Sequence, residues 1–225
     1  MTETTTQQPK AEPVLAAFVP MIPPSVAALY GVVSQEAGRF ALHGVSLIFK
    51  TDGTLEAVAT DGRRLVKATF PAIDGMAPPE KALALILDED GVVAFLKAAG
   101  KVKTKVPTIP THRTVKVSVE GRDATLASIS GATIKAHLID GTFPKYDDVI
   151  PKADEESAKK FDVLLSGMLL SSTAQAMLGV AGHGRGDGLG GVRFRMGAKK
   201  HAAVRMDYKL HGVDVVGALM PMDAT

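Results

Sequence analysis

The stretch Arg39–Phe70, RFALHGVSLIFKTDGTLEAVATDGRRLVKATF, decides the fold class. Its runs Arg39–Lys50, Leu55–Ala59 and Arg64–Phe70 are broken at Thr51-Asp52-Gly53 and Thr60-Asp61-Gly62. Asp-Gly between extended runs is a strong hairpin signal, because glycine accepts positive φ. The stretch therefore predicts a three-stranded antiparallel meander.

Upstream, Val14–Val19 predicts a strand, and Pro23-Pro24 suits a helix start, where the missing N–H costs nothing. Ser25–Ala37 carries Val26, Leu29, Tyr30 and Val33 at helical spacing, with Gly38 as a stop. This order of strand, helix and meander recurs. Lys81–Leu87 predicts a strand, Asp88 caps a helix bearing Val92, Val93, Phe95 and Leu96, and Gly100 ends it. Thr114–Val119, Ala124–Ser130 and Ala132–Ile139 form the second meander, turning at Glu120-Gly121-Arg122-Asp123. In the third copy, Lys160–Leu165 predicts a strand. Ser166 caps a helix through Ala176 with Met168, Leu169 and Met177 on its apolar side. Gly191–Met196, Ala202–Tyr208 and Val213–Met220 are its meander. The expected organisation is a polar tail over residues 1–13, a two-unit domain over 14–152, a charged linker over 153–159 and a third unit over 160–225.

Composition narrows the function classes. The chain of 225 residues has no cysteine, so disulfides, thiolate metal sites and cysteine nucleophiles are excluded. That fits a cytoplasmic location, and no apolar run reaches membrane-spanning length. A net charge of +2, from 26 basic and 24 acidic residues, neither supports nor excludes a nucleic-acid partner. No His spacing suits a metal, and the Gly-rich loop Gly182–Gly191 lacks the Gly-Lys-Ser/Thr ending of a phosphate cradle. The expectation is a protein without catalytic activity, cofactor or metal.

Three strings carry a family resemblance: VATDGRRL at Val58–Leu65, DGTFPKYDDVIP at Asp140–Pro151 and ALMPM at Ala218–Met222. Singly, each reads as a turn or a strand end. In this order, with Leu42-His43-Gly44 before them and FDVLLSGML at Phe161–Leu169, they resemble the bacterial DNA sliding clamp, DNA polymerase III subunit beta. The resemblance implies an α+β DNA-clamp (processivity factor) fold built from three strand–helix–β-meander units. It matches the family's middle domain and one half of its last. It further implies an apolar groove for linear peptide motifs of polymerases or clamp loaders. Carried over residue by residue, that groove comprises Leu42, Thr60, Gly62, Arg64, Leu65, Pro144, Val149, Leu219, Met220, Pro221 and Met222. Phe143 and Tyr146 read as core and corner residues. Arg63 stands where the family usually has His, while Asp148 and Asp223 stand where it often carries a basic residue. Those two acids are expected to make the groove rim more negative and to change the preferred peptide.

The resemblance also implies a helix face toward double-stranded DNA, held without sequence specificity. Lys97, Lys101, Lys103 and Lys105 cluster at the end of the second helix, and the first offers Arg39. The helix dipole also favours cations there, which is the plainer reading. The third helix has no basic residue between Ser166 and Leu178, and Lys199, Lys200, His183 and Arg185 are possible additions. The family ring has twelve units, so three units per chain imply a homo-oligomer of four. The alternative is a non-ring adaptor or decoy that keeps only the groove. A third option, an enzyme with a lid at Gly182–Gly191, would need a ligand in that loop.

Overall fold

The computed structural model describes residues 18–36, 38–73, 75–101, 114–151, 164–183, 191–196 and 202–222. In chain order the elements begin with β1 (Met21–Ile22), a 3₁₀ helix (Pro24–Val32) and a short 3₁₀ turn (Phe40–Leu42). The first meander is β2 (Val45–Phe49), β3 (Leu55–Thr60) and β4 (Arg64–Phe70). There follow β5 (Leu83–Leu87), α1 (Val92–Gly100), β6 (Val115–Glu120), β7 (Asp123–Ala127) and β8 (Thr133–His137). The last unit has α2 (Gly167–Val180), β9 (Arg193–Met196), β10 (Val204–Leu210) and β11 (Val213–Leu219).

The first two units exchange their first strands. β1 pairs with β6 of the second unit, and β5 pairs with β2 of the first. The third unit joins differently: β11 lies antiparallel to β4, with Ala218 opposite Leu65 and Leu219 opposite Arg64. The result is a four-stranded sheet, β1-β6-β7-β8, and a seven-stranded sheet, β5-β2-β3-β4-β11-β10-β9.

Strand alternation gives the larger sheet two different faces. Val45, Leu47, Phe49, Leu55, Ala57, Ala59, Val66, Ala68, Val213 and Val215 point to the helices and form the main core. Ser46, Ile48, Glu56, Val58, Leu65, Lys67 and Ala218 share the other face through their cross-strand pairings. Charged residues on strands this buried mark a face that something else must cover.

Several local expectations change. The first strand is Met21–Ile22, and Val14–Ala17 lie outside the described residues. The first helix is a 3₁₀ helix that stops at Val33, whose backbone is extended (φ −65°, ψ 157°). Val26, Leu29 and Val32 recur every third residue and are fully buried, which suits a period of 3.0 rather than 3.6. Its Tyr30 hydroxyl donates to Leu87 O at 3.1 Å and Asp88 O at 3.2 Å, tying it to the end of β5. Asp88 does not cap α1. Gly91 occupies the N-cap with φ +68°, while the Asp88 carboxylate accepts the Glu89 N–H. Ser166 does cap α2, accepting the Leu169 N–H at 3.4 Å, and that helix continues to Val180. Met168 is 84% exposed rather than on the apolar side, where Thr173, Ala176, Met177 and Val180 are buried. The expected linker 153–159 lies outside the described residues.

The third unit also packs α2 against the 3₁₀ helix. Contact is close at Gly179, where an added Cβ would lie 2.8 Å from the Ala28 Cβ. Neither atom can rotate away, so a larger residue must push the helices apart. Gly179→Leu is expected to lower stability by about 1–3 kcal/mol, read as a reduced urea midpoint.

Candidate functional site

The site starts from the turn between β3 and β4. Thr60 Oγ1 donates to Arg64 O at 2.7 Å and accepts the Gly62 N–H at 3.1 Å. Asp61 Oδ1 accepts the N–H groups of Arg63 and Arg64 at 2.9 and 3.0 Å. Gly62 has φ +87°, and the Arg39 guanidinium fills the space where a Cβ would sit. These bonds fix the turn without help from a ligand.

Arg64 points to the helix side, opposite the face of Leu65. Its Nε donates to Asp61 Oδ2 at 2.9 Å, its Nη2 to Gly31 O at 2.9 Å, and its Nη1 to Ser172 Oγ of α2. The side chain is only 11% exposed. One guanidinium thus joins the turn, the first unit's 3₁₀ helix and the third unit's helix.

On the other face the segment Phe143–Ile150 crosses the sheet as a strap. Phe143, Tyr146 and Ile150 pack on Val58, Leu65, Ala203 and Ala218. The Tyr146 hydroxyl donates to Glu56 Oε1, and Glu56 Oε2 lies 2.9 Å from Lys50 Nζ and 3.3 Å from Lys67 Nζ. Lys67 also pairs with Asp147 at 2.9 Å and sits 5.2 Å from the Tyr146 ring centroid. Arg205 of β10 donates to Pro151 O at 2.8 Å, fastening the end of the strap to the third unit.

Burial alone would raise the Glu56 carboxyl, but the Tyr146 hydrogen bond and the two ammonium groups more than offset it. Its pKa falls below the ordinary glutamate range. Burial and then the neighbouring Glu56 carboxylate push the Tyr146 phenol up. Burial would lower Lys67, yet Asp147 and Glu56 hold it above the usual lysine value.

Between turn, strap and strand end lies a groove of about 250 Å³. Leu42, Thr60, Gly62, Arg64, Leu65, Pro144, Val149 and Met220 line it. So do Arg63, Lys145, Tyr146 and Ala218. Leu65 and Thr60 are buried at its floor, whereas Val149 (47%) and Met220 (41%) stand open at its sides. Behind the strap a wider hollow of about 880 Å³ lies over Ser46, Ile48 and Ile86.

No family model matches the sequence. It is 26% identical over 124 residues to the beta sliding clamp of Pseudomonas aeruginosa, covering 55% of this chain and 30% of that one. Over 123 residues it is 30% identical to the beta sliding clamp of Caulobacter vibrioides, covering 53% and 30%. A Helicobacter pylori beta clamp in complex with diflunisal superimposes with a TM-score of 0.65 at 15% identity, over 97% of this chain and 69% of that one. A Pseudomonas aeruginosa sliding clamp gives 0.63 at 18% identity, over 92% and 66%. This is the fold of a bacterial DNA sliding clamp. The clamp-like chain spans 30–35% of the length of the curated relatives it matches.

The clamp architecture brings eight of the eleven expected groove residues together. Leu219 is not among them: it is fully buried, because alternation turns it away from the face of Ala218 and Met220. Pro221 and Met222 lie past the strand end, where the Met222 N–H donates to Leu164 O at 2.9 Å, and neither lines the groove. Arg64 lines it, but its guanidinium is committed to the fold. Of the two acids expected at the rim, Asp148 lines the wider hollow instead of the groove, and Asp223 lies outside the described residues. Among the described residues the exposed charges of the rim are Arg63, 74% exposed, and Lys145.

Sequence reading missed Arg63, Lys145, Tyr146 and Ala218. Alternation back from Met220 selects Ala218 over Leu219. The charges of Glu56 and Lys67 within apolar strands were the signal for the strap that carries Tyr146 and Lys145.

Of the expected DNA-facing residues, Lys97 and Lys101 are exposed on and just after α1. Arg39 is not on a helix. It donates to Asp61 O at 3.0 Å and pairs with Glu36 at 3.2 Å, beside the groove turn. Lys103, Lys105, Arg185, Lys199 and Lys200 lie outside the described residues, as does most of the Gly-rich loop. His183 shares a hydrogen bond with the Tyr208 hydroxyl at 2.8 Å. Among the described residues no group of His, Asp and Glu is placed to hold a metal ion, and no helix is long and apolar enough to cross a membrane.

Glu56 has a lower pKa folded than unfolded, so its stabilisation is complete above the ordinary glutamate value of about 4.3. It is lost as pH falls through the folded value. Glu56→Gln is expected to destabilise the protein at neutral pH and to flatten the acid limb of stability against pH, measured by urea unfolding from pH 7 to 3.

Proposed function

We propose that this clamp-like chain is a replication or repair accessory protein. It binds linear peptide motifs of polymerases or clamp loaders in the groove between the β3–β4 turn, the strap and the end of β11. One observation carries the reading: an open apolar trough whose walls are all fixed from behind. Leu42, Leu65, Pro144, Val149 and Met220 offer apolar surface, and Met220 adapts to varied side chains. The turn is held by Asp61 and Thr60, and the strap by Glu56 and Lys67, so little ordering entropy is lost on binding. The groove residues suggest recognition and no chemistry.

A labelled peptide with two apolar anchors tests this by fluorescence anisotropy. Val149→Asp and Met220→Asp replace exposed side chains, so they should keep the fold while weakening binding tenfold or more. Unchanged affinity in both variants would contradict the groove reading.

Two assemblies are compatible with that role. In the first, chains form a closed ring around double-stranded DNA, with Lys97 and Lys101 toward the phosphates. In the second, the chain is an adaptor that occupies clamp-binding partners without encircling DNA. The exposed residues of α2, among them Met168, Ser171 and Gln175, carry no charge, which favours the adaptor. Light scattering with and without circular DNA separates the two. A stable monomer that does not bind DNA is the adaptor outcome. A larger ring-sized species retained on circular but not linearised DNA is the ring outcome.

A further inference from the structure

We infer that the groove selects peptides whose apolar anchors are flanked by acidic residues, through Arg63 and Lys145. The inference rests on the peptide-groove reading and names the chemistry of its ligand. Three cationic side chains line the groove, and they are not equivalent. Arg64 is 11% exposed, and its guanidinium is spent on Asp61, Gly31 and Ser172. Arg63 is 74% exposed, and its nearest carboxylate, on Glu36, is 3.9 Å away. That carboxylate is also 3.2 Å from Arg39, so it is shared. Lys145 is exposed and forms no ion pair with the described residues.

The acidic residues nearby are turned elsewhere. Asp61 faces back into its turn, Glu56 is buried under the strap, and Asp147 pairs with Lys67. Asp147 and Asp148 line the wider hollow and not the groove, whereas Lys145 borders both. Among the described residues the groove is therefore lined by cations without a lining carboxylate. Arg63 comes from the turn and Lys145 from the strap, so the two reach the ligand from different walls. A peptide seated on Leu65, Val149 and Met220 would pass both. Carboxylates on either side of its anchors would meet Lys145, which has no ion pair among the described residues, and Arg63, whose only ion pair there is the long, shared one with Glu36.

The test uses three labelled peptides with the same apolar anchors and flanks of Glu, Gln or Lys. Each is titrated against the wild-type chain and the Arg63→Glu/Lys145→Glu variant, at low and high salt. Lys145 has no ion pair among the described residues and Arg63 has only the exposed 3.9 Å pair with Glu36, so the double variant should unfold at nearly the same urea concentration as wild type. The Glu-flanked peptide is expected to bind about fivefold tighter than the Gln-flanked one, and that advantage should shrink as salt rises. In the double variant the order should reverse in favour of Lys flanks. Equal binding of all three peptides would overturn the charge reading and leave the groove standing. Failure of all three to bind would overturn the groove itself. If a short DNA duplex displaces the Glu-flanked peptide but not the Gln-flanked one, the cations serve phosphate, and the peptide selectivity is refuted.

Discussion

The antiparallel pairing of β4 with β11 is the contact on which the site depends. It places Leu65 beside Ala218 and brings the β3–β4 turn next to Met220, where the Met220 N–H donates to Arg63 O at 3.0 Å. Main-chain hydrogen bonds set the register, and each face of the joint is then secured separately. On the helix side Arg64 reaches Gly31 and Ser172. On the other side the strap lies over Leu65 and Ala218, with its end held by Arg205. All three units thus contribute: the first supplies the turn, the second leads into the strap, and the third gives the last strand.

Glu56 makes the strap specific. A carboxylate with a 5% exposed side chain would be costly alone, because burial penalises the charged form. Two lysines and a phenol surround it, so its charge is met on both oxygens. Such clusters add little net stability compared with an apolar core of equal volume, yet losing one member strands the others. Their value here is positional. Phe143 or Ile150 could slide on an apolar patch, whereas Tyr146 is held where its hydroxyl meets Glu56. The wall of the groove inherits that fixed position.

Much of the architecture is legible in the sequence because alternation and turn chemistry are local. The two Asp-Gly turns of the first meander, the Ser166 cap and the repeated unit order follow from neighbouring residues. The 3₁₀ geometry of Pro24–Val32 was harder to see, since Val26, Leu29, Tyr30 and Val33 fit a 3.6 period about as well. The strand exchange between β1 and β5 is long-range, and nothing near Met21 or Leu83 specifies its partner. Most groove walls were legible through the motif strings. The role of Arg64 was not, because Gly31 and Ser172 are far away in sequence and meet it only after the third unit docks. The same holds for the rim: Asp148 lies within the strap, between groove-lining Tyr146 and Val149, yet lines the wider hollow and not the groove.

Units join in two ways in this chain, and the difference bears on what the protein can do. The first and second interlock by exchanging strands, so each sheet contains a strand from both. The third adds at one edge, through β11 and α2. The groove needs only that second kind of junction and the strap over it. None of its walls depends on a further chain. Helix α2, by contrast, carries no charged residue that could face a phosphate backbone. The proposed peptide groove therefore draws all its walls from one folded chain, whereas the proposed ring would draw on several.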